Sequence, residues 1–476
     1  MSTTHCGYVV KVKELRPHRN ADKLQIAKFF DCETCVGLDV KLGDMGIYFP
    51  SGLQLSEEFC AQNNLVRRKD ETGKNVGGYL EPDKRNIKTI RLRGEPSDGI
   101  FMALDSVAYT GVDMSLLTEG TVIHELNGHE ICDKYIPKVK AHNEFNSPNR
   151  TRKNKPKNIP IAPLFNEHAD TEQLAYNLNA FKPGDEIEIT LKMHGTSQRT
   201  GYLPVLKGMK RTFWDKLFRR PGKPIYDWGY VTGTRRTVLD NFDGGFYGSN
   251  EFRESHAKFF EGKLHKGEEV FYEVVGFTTS GAPIMGSVSN KKLNDKEFER
   301  QYGPTTVFSY GCEPTGQREK FYRDEISIFS IPEPVPQSDF YVYRMTMTNE
   351  DGNVVEYTPD YMRYRCEQMG CKTVPVFEQF RIPDSNDRNI LYLNSEGVID
   401  YVTKTPGEWV MEAAETYCDG PDPIGKTHVR EGVVVRIVNR PSFTAYKHKN
   451  FAFKCLSGII TEEATNVADA DIASEM

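Results

Sequence analysis

The stretch that decides the fold is residues 184–197, which read GDEIEITLKMHGTS. Its aliphatic side chains alternate with polar side chains, and this spacing is the pattern of a β-strand that buries one face. Lys192 and His194 both fall on the polar face, next to Gly195. The alternation therefore predicts a strand that ends at a glycine turn and presents one lysine and one histidine to a cleft.

Composition limits the class of protein. The chain has 476 residues, of which 38% are hydrophobic and 27% are charged, and its net charge is -6. These values are typical of a globular protein, and the length predicts roughly two or three domains. No apolar run reaches membrane-spanning length, and the first residues lack the apolar core of a signal peptide. Ten irregularly spaced cysteines favour reduced thiols, so we expect a cytoplasmic protein with no membrane partner.

Residues 1–140 predict an OB-like β-barrel that binds nucleic acid. Short alternating segments such as 24–29 are separated by glycines, as in small barrels. Residues 16–24, RPHRNADKL, resemble a turn of OB-fold tRNA-binding domains. Further along, Arg91 and Arg93 share one face of a predicted strand, which is either a solvated surface or an RNA-binding surface. The pattern favours neither alternative, and the second makes both arginines RNA-binding candidates.

The rest of the chain divides by composition. Residues 141–160 are basic and rich in proline and asparagine, which predicts a linker or an exposed loop. A second, larger domain is expected over 161–460, with insertions near 203–228 and 278–338. Residues 461–476 are acidic and small, which predicts a C-terminal tail.

Four segments carry further predictions of secondary structure. Residues 207–224 are basic with clustered aromatic side chains, which predicts an amphipathic helix that either packs on its own domain or faces RNA. Residues 359–370 begin with proline and predict a helix, while residues 170–174 have the composition of a helix start. Residues 450–456 predict the last strand.

Several segments follow Lys192 in a definite order. They are TGTRR at 232–236, FYEVVG at 271–276, the aromatic-rich FYVYRM at 340–345, EGVVVR at 431–436, and a lysine-bearing strand near 446–456. Together with KMHG at 192–195, this order resembles motifs I, Ia, III, IIIa, IV and V of the covalent nucleotidyltransferase superfamily, which includes ligases and capping enzymes. The resemblance covers most of residues 160–460. Histidine at position 194, where DNA ligases and capping enzymes more often have aspartate, resembles the RNA-ligase branch.

Domain order narrows the resemblance. In DNA ligases and capping enzymes an OB domain follows motif V, but only 22 residues follow Lys454 in this sequence. The β-rich segment precedes the motifs instead, and this order resembles the Deinococcus-type ATP-dependent RNA ligases. The resemblance implies an α+β fold class, with an N-terminal OB-like barrel followed by a nucleotidyltransferase domain of antiparallel sheets and flanking helices.

The resemblance also implies roles for individual residues. Lys192 would be the nucleophile that becomes linked to AMP, and Glu431 would hold a divalent metal. The remaining nucleotide-binding candidates are Arg235 or Arg236 for phosphate, Glu273 for ribose, His194 and Gly195 near the nucleotide, and Tyr343 for adenine, with Phe340 and Tyr341 as alternatives. Lys454 would contact the AMP phosphate, although Lys447 and Lys449 also match the motif V lysines. An amine nucleophile needs a lowered pKa at neutral pH, and cations must balance charge at phosphorus.

The function that follows is an ATP-dependent RNA ligase. It would join 3′-hydroxyl and 5′-phosphate ends of RNA through lysine–AMP and adenylylated-RNA intermediates, with Mg²⁺ or Mn²⁺, in nick sealing or RNA repair. A DNA ligase, a capping-type nucleotidyltransferase and a non-catalytic RNA-binding protein are the alternatives. RNA is the expected partner, and no obligatory protein partner is evident from the sequence.

Overall fold

A computed structural model describes residues 5–73, 75–136, 159–168, 171–213, 222–235, 237–239, 242, 250–323, 328–383, 389–393 and 399–463. The predicted linker at 141–160 lies almost wholly outside these residues, and the predicted domain bounds stay a prediction. In the described part of the chain, no helix is long and apolar enough to cross a membrane.

The N-terminal sheets are built from fifteen strands and one helix. Their bounds are β1 Gly7–Lys11, β2 Leu15–Pro17, β3 Leu24–Phe29, β4 Cys32–Gly37, β5 Met45–Phe49, β6 Leu53–Leu55, α1 Glu57–Gln62, β7 Arg67–Lys69, β8 Asn75–Gly77, β9 Thr89–Leu92, β10 Glu95–Asp98, β11 Ile100–Ala103, β12 Val122–Ile123, β13 Glu125–Leu126, β14 His129–Glu130 and β15 Cys132–Lys134. The predicted strand at 24–29 is confirmed as β3.

These strands do not close into a barrel. The four-stranded sheet β11-β5-β1-β12 and the three-stranded sheet β2-β3-β4 pack face to face, with Phe29 and Tyr48 in contact at 5.3 Å between ring centroids. Strands of two to six residues are too short to carry a continuous ladder around a closed barrel. The β-rich prediction is therefore confirmed, whereas the predicted OB-like barrel is not found among the described residues.

The C-terminal sheets contain the remaining strands and helices. Their bounds are β16 Glu172–Gln173, β17 Glu186–Lys192, β18 Thr196–Lys210, β19 Lys223–Gly233, α2 Glu251–Phe259, β20 Glu268–Gly276, β21 Val288–Ser289, α3 Lys296–Tyr302, β22 Thr305–Thr306, β23 Gln317–Arg323, β24 Ile328–Pro334, β25 Ser338–Thr348, β26 Val354–Glu356, α4 Pro359–Met369, β27 Lys372–Thr373, β28 Val376–Arg381, β29 Asn389–Leu393, β30 Ile399–Thr403, α5 Pro406–Cys418, β31 Gly432–Ile437, β32 Ala445–Lys449 and α6 Phe451–Glu463.

Two of these sheets position the cleft. The five-stranded sheet has the order β16-β32-β31-β17-β28, and the larger sheet has the order β19-β18-β20-β25-β26, with β27 paired to β25. The chain passes from one sheet to the other between β17 and β18, at residues 193–195. The glycine turn predicted after Lys192 is therefore the junction between the sheets.

Helix α5 covers one face of the five-stranded sheet. Ile187 and Ile189 of β17 are buried with Val433 of β31 and with Val410 of the helix. The alternate residues of β17 face the other way, into a cavity between the two sheets. The predicted amphipathic strand is therefore confirmed, because its aliphatic side forms the core and its polar side lines the cavity.

One prediction of secondary structure is wrong, and two more are matched only in part by the described residues. Residues 450–456 begin helix α6 and not a strand, because the Asn450 side chain accepts a hydrogen bond from Phe453 N at 3.1 Å and caps the helix. Within residues 170–174, Glu172–Gln173 form the short strand β16, which pairs with β32, and a 3-10 helix begins at Leu174. Of the predicted helix at 207–224, residues 207–210 belong to β18 and 223–224 to β19, Phe213 is helical, and residues 214–221 lie outside the described part.

Candidate active site

Lys192 stands at the C-terminal end of β17, directly opposite Gly432 of β31. Its Nζ lies 2.7 Å from Oε1 of Glu431, the residue that precedes β31. A side chain at position 432 would approach His448 O to 2.1 Å, so only glycine lets β31 and β32 meet there. This close contact brings the acid of one strand to the lysine of the next.

Glu431 is the centre of a charged cluster. Its side chain is 1% exposed, and its Oε1 also lies 3.2 Å from Lys449 Nζ, while Oε2 lies 3.5 Å from His194 Nδ1. Burial alone would raise the pKa of this carboxyl, but Lys192, Lys449 and His194 together hold it well below its usual range. The carboxylate therefore stays ionised at neutral pH.

His194 is held rigidly beside this carboxylate. Its ring meets the rings of Phe308 and Phe453 edge-on, at centroid distances of 4.6 and 4.8 Å. Its backbone N–H donates to the Tyr310 hydroxyl at 2.6 Å. Burial lowers the pKa of the imidazole despite the attraction of Glu431, so His194 is neutral at physiological pH.

The structure places the lysines predicted for motif V in two different regions. Lys447 and Lys449 alternate on β32 and line the cleft together with Lys192. Lys454 lies on helix α6, outside this cluster, and its Nζ is 2.8 Å from Asp98 Oδ2 of the N-terminal sheets. The first choice of Lys454 as the phosphate contact is not supported by this geometry, because the predicted strand that carried it is a helix. The alternative pair, Lys447 and Lys449, occupies the cleft.

Glu273 and Gly195 form the junction between the sheets. The Gly195 N–H donates to Glu273 Oε1 at 3.0 Å. A Cβ at position 195 would lie 2.4 Å from Val274 O, so glycine is required by the close approach of the backbone to β20. Glu273 lines the same cleft as Lys192.

A cavity that shares Lys192, Arg235 and Glu273 with the lysine cluster adjoins it. Tyr343 lines it, and the Tyr343 hydroxyl is 3.0 Å from Ser197 Oγ. The two alternatives proposed for adenine stacking, Phe340 and Tyr341, are buried in the core at 8% and 6% exposure and do not line this cavity. Of the three aromatic candidates, Tyr343 is thus the one placed where a base can enter.

Arg235 lines both the cavity and the lysine cleft. Its carbonyl accepts a hydrogen bond from His168 N at 3.2 Å, and the preceding carbonyl, Thr234 O, accepts one from Arg199 Nε at 2.8 Å. The loop that carries this arginine is therefore fixed on both sides. Arg236 lies outside the described residues.

Several residues of the cavity were not predicted as site residues. They are Thr171, His168, Glu188, Arg363, Arg436 and Phe443. Glu188 is buried and accepts hydrogen bonds from Arg363 Nη1 and Gln379 Nε2, both at 2.6 Å. The alternation of β17 places Glu188 on the face of Lys192 and could have identified it, whereas His168 and Phe443 belong to no periodic pattern.

The two arginines predicted to bind RNA lie at the β9–β10 hairpin. Arg91 Nη2 pairs with Asp295 Oδ2 of the C-terminal part at 3.0 Å. Arg93 is exposed and has a φ of 48°, so it forms the turn together with Gly94. The two residues therefore do not share a strand face, because the strand β9 ends at Leu92.

The donor set of the cleft fits a hydrated magnesium or manganese ion. Within the described ranges, no group of three or more His, Cys, Asp or Glu side chains is arranged to hold a metal. Mg²⁺ keeps several waters and is commonly bound by one or two carboxylates together with substrate phosphates. The buried, ionised Glu431 can supply one such carboxylate.

Comparisons with known proteins give distant structural likenesses. No protein-family model matches the sequence, and no curated protein matches it either. Among solved structures, a lysine-to-alanine mutant of Naegleria gruberi RNA ligase with ATP and Mn is 14% identical, with a TM-score of 0.48, and the alignment covers 94% of this chain and 98% of that chain. An apo mutant of the same ligase gives a TM-score of 0.49 at 14% identity, covering 95% and 98%. The same ligase with PPi gives 0.46 at 14% identity, covering 94% and 97%. TM-scores below 0.5 do not establish a common fold.

Proposed function

We propose that this chain is an ATP-dependent RNA ligase in which Lys192 carries AMP. The observation that supports this most directly is the position of Lys192 between the buried Glu431, the second lysine Lys449 and the cavity that Tyr343 lines. A lysine that only stabilised the fold would not need a second cation and an open cavity beside it.

In the first step the Lys192 amine, after losing a proton to solvent, attacks the α-phosphorus of ATP. The N–P bond forms as the bond to pyrophosphate breaks, and pyrophosphate leaves with the electron pair. Lys449 and Arg235 balance the negative charge of the phosphate oxygens. Glu431 is a weak base because its pKa is low, so we assign it to orienting Lys192 and to holding a divalent cation, which would further neutralise phosphate charge when bound.

Two more transfers complete the proposed reaction. An oxygen of the RNA 5′-phosphate attacks the lysine-bound AMP, the N–P bond breaks, and the lysine amine is restored. The RNA 3′-hydroxyl then attacks the 5′-phosphate and AMP leaves. We propose nick sealing or RNA repair in the cytoplasm as the setting, with the N-terminal sheets as the RNA-binding part, an arrangement like that of the Deinococcus-type ligases.

The cavity supports a base beside Tyr343. The ring is half-buried, and its hydroxyl is hydrogen-bonded to Ser197, so it is fixed before a ligand arrives. Aromatic stacking on a base contributes about 1–3 kcal/mol. We propose that adenine stacks on Tyr343, with Glu273 near the ribose.

Labelling of the intact protein tests the function. The full chain is incubated with ATP or GTP labelled at the α-phosphate and with Mg²⁺ or Mn²⁺, and is then denatured and examined for covalent label. We expect acid-labile label from ATP, no label in Lys192→Ala, and normal label in the exposed control Lys182→Ala. Label that survives in Lys192→Ala contradicts the assignment of the nucleophile, and label from GTP alone indicates a capping-type transferase.

Sealing assays then identify the substrate. Nicked duplexes that differ only in having RNA or DNA on the 3′-hydroxyl side are compared under the same conditions. We expect sealing when the 3′-hydroxyl strand is RNA. Equal sealing of an all-DNA nick would contradict the RNA-ligase assignment and favour a DNA ligase.

A further inference from the structure

Two buried charge pairs join the N-terminal sheets to the end of the cleft. Asp98 Oδ2 of β10 lies 2.8 Å from Lys454 Nζ of α6, with side chains 4% and 18% exposed. Asp31 Oδ2, just before β4, lies 3.2 Å from His448 Nδ1 of β32, with side chains 8% and 10% exposed. In each pair the acid belongs to the N-terminal sheets and the base to the C-terminal part.

Neighbouring groups hold the two acids in place, so each acid depends on its own basic partner. Cys32 Sγ lies 3.2 Å from both Asp31 Oδ1 and Asp98 Oδ2, and its single S–H can be donated to either, so the two acids belong to one network. Thr89 Oγ1 donates to Asp98 Oδ1 at 2.7 Å. Because the oxygens are held in place and water has little access, each acid needs its cation, and loss of a partner leaves a buried charge.

An aromatic contact closes the network from solvent. Tyr176, from the turn after β16, packs between Tyr8 and Phe30, with ring centroids at 4.8 and 4.9 Å. The titratable groups that face the two pairs are Cys32, Tyr176, Tyr48, Cys418 and Cys455. Burial raises the pKa of Cys32, Tyr176, Tyr48 and Cys455, so these four are neutral at physiological pH. The four charges therefore balance one another.

His448 stands between the two cleft lysines in sequence. On β32, Lys447 and Lys449 face the cleft, and the His448 side chain points to the opposite face of the strand. Burial would lower the pKa of His448, but its hydrogen bond to Asp31 dominates and raises the pKa to about 10. Asp31 thus holds a charged histidine in the middle of the lysine strand.

Helix α6 extends the same connection to His194. The helix begins directly after Lys449 and carries Lys454 one turn on. Between them, the ring of Phe453 packs edge-on against His194 at 4.8 Å. A shift of α6 would therefore move both the support of His194 and the strand end at Lys449.

We propose that His448 and Lys454 are positioning residues through which the N-terminal sheets hold Lys447 and Lys449 in place for transfer of AMP to Lys192. The N-terminal sheets then contribute to the first chemical step, before any RNA is bound. This inference rests on the proposed ligase function. Because displacement of a reacting group by about 1 Å can cost a hundredfold in rate, a modest loosening of β32 is enough to be measured.

The test compares a double variant with a single-substitution control in the full chain. Asp98→Asn with Lys454→Met removes one charge pair without leaving a lone buried charge. The control is Glu95→Gln, which removes another buried acid from the same strand, one whose ion pairs among the described residues are with Arg16 and Arg19. Circular dichroism and melting define a temperature at which all the proteins are folded, and the rate of lysine–AMP formation is measured there without RNA.

We expect the double variant to lose about tenfold or more in the rate constant of adenylylation, with a smaller change in KM for ATP. Glu95→Gln should keep the rate of the unaltered protein, and Lys454→Arg should restore most of it. Rates equal to that of the unaltered protein in the folded double variant would overturn the inference while leaving the ligase function intact. Absence of label in the unaltered protein would overturn both.

A pH profile of the adenylylation rate distinguishes a positioning role of His448 from a general effect on the stability of the fold. In Asp31→Asn the histidine loses its acid, so the pKa of His448 falls and its charge is lost at a lower pH than in the unaltered chain. We expect the adenylylation rate of this variant to decline toward alkaline pH before that of the unaltered protein does. Profiles that coincide would contradict a role for the charge on His448.

Discussion

At the scale of single residues, the cleft is organised by one carboxylate, that of Glu431, which contacts three basic side chains. Glu431 contacts Lys192, Lys449 and His194, and none of these three is adjacent to it in sequence. Two lysines that share one carboxylate are held closer together than their mutual repulsion would otherwise allow. Burial further lowers the pKa of Lys449. A phosphate group that enters the cleft would stabilise the charged form of this second lysine.

Replacing the second lysine, Lys449, should slow the first chemical step strongly. We predict that Lys449→Ala lowers the rate of adenylylation by about 10²–10³-fold, because one cation that balances developing phosphate charge is lost. The measurement is single-turnover labelling with ATP. Lys291→Ala, an exposed lysine outside the cleft, is the control and should label normally. A normal rate of labelling in Lys449→Ala would indicate that another lysine has the motif V role.

The adenine position has its own test. We predict that Tyr343→Leu raises KM for ATP about tenfold, since stacking of a base on an aromatic ring contributes about 1–3 kcal/mol. Tyr343→Phe keeps the ring and should retain most of the affinity. Tyr322→Leu, on the exposed strand β23, serves as the control for loss of a tyrosine. Equal KM values for Leu and Phe at position 343 would exclude stacking there.

At the scale of elements, alternation and an N-terminal proline predict structure well, whereas a helix set by a single cap is harder to predict. Strand β17 and helix α4 lie where their patterns predict, because a two-residue period and an N-terminal proline are local signals. Helix α6 was predicted as a strand because its short segment shows apolar residues without a clear period. The cap at Asn450, which makes this segment a helix and not a strand, depends on a single side chain.

The helix that covers the five-stranded sheet provides an element-scale prediction. Thr405 and Glu408 form a reciprocal capping box at the start of α5. We predict that Thr405→Ala lowers the free energy of unfolding by about 1 kcal/mol, because one backbone N–H of the helix loses its partner. Denaturant titration measures this, with Thr416→Ala, an exposed residue in the last turn of the same helix, as the control. Equal stability of the two variants would contradict a contribution from the cap.

At the scale of the whole molecule, the sequence could not reveal how its two parts meet. Asp98 and Lys454 carry no shared pattern, and Arg91, predicted to face RNA, pairs with Asp295 instead. Contacts between parts depend on a few side chains brought together by the complete fold. The resemblance in motif order predicted the lysine, the acid and the glycine of the cleft, and these residues lie at or directly beside strand ends.

Stability should depend on pH through a buried pair outside the cleft. Glu269 lies against Arg199, and burial raises the pKa of Glu269 to about 7. The folded state then binds this proton more tightly than the unfolded state does, so stability from this group declines as pH rises from the unfolded pKa near 4.5 to about 7. The decline is at most about 1.4 kcal/mol per pH unit.

We therefore predict that Glu269→Gln gains stability relative to the unaltered chain as pH rises through that window. Gln has nearly the same shape and keeps a neutral partner for Arg199. The measurement is the difference in free energy of unfolding between the two proteins at several pH values. A difference that does not change from pH 4.5 to 7 would contradict the raised pKa of Glu269.

The pairing of Asp98 with Lys454 has a consequence for how the chain is made. The two residues are 356 positions apart, and at about 5–20 residues per second the ribosome delivers the second roughly 20 to 70 seconds after the first. During that interval Asp31 and Asp98 have no basic partner to pair with and remain hydrated. The lysines of β32 emerge within the same few seconds as Lys454. A newly made chain thus completes its nucleotide cleft and its inter-sheet contact together, and a chain halted before residue 445 has neither.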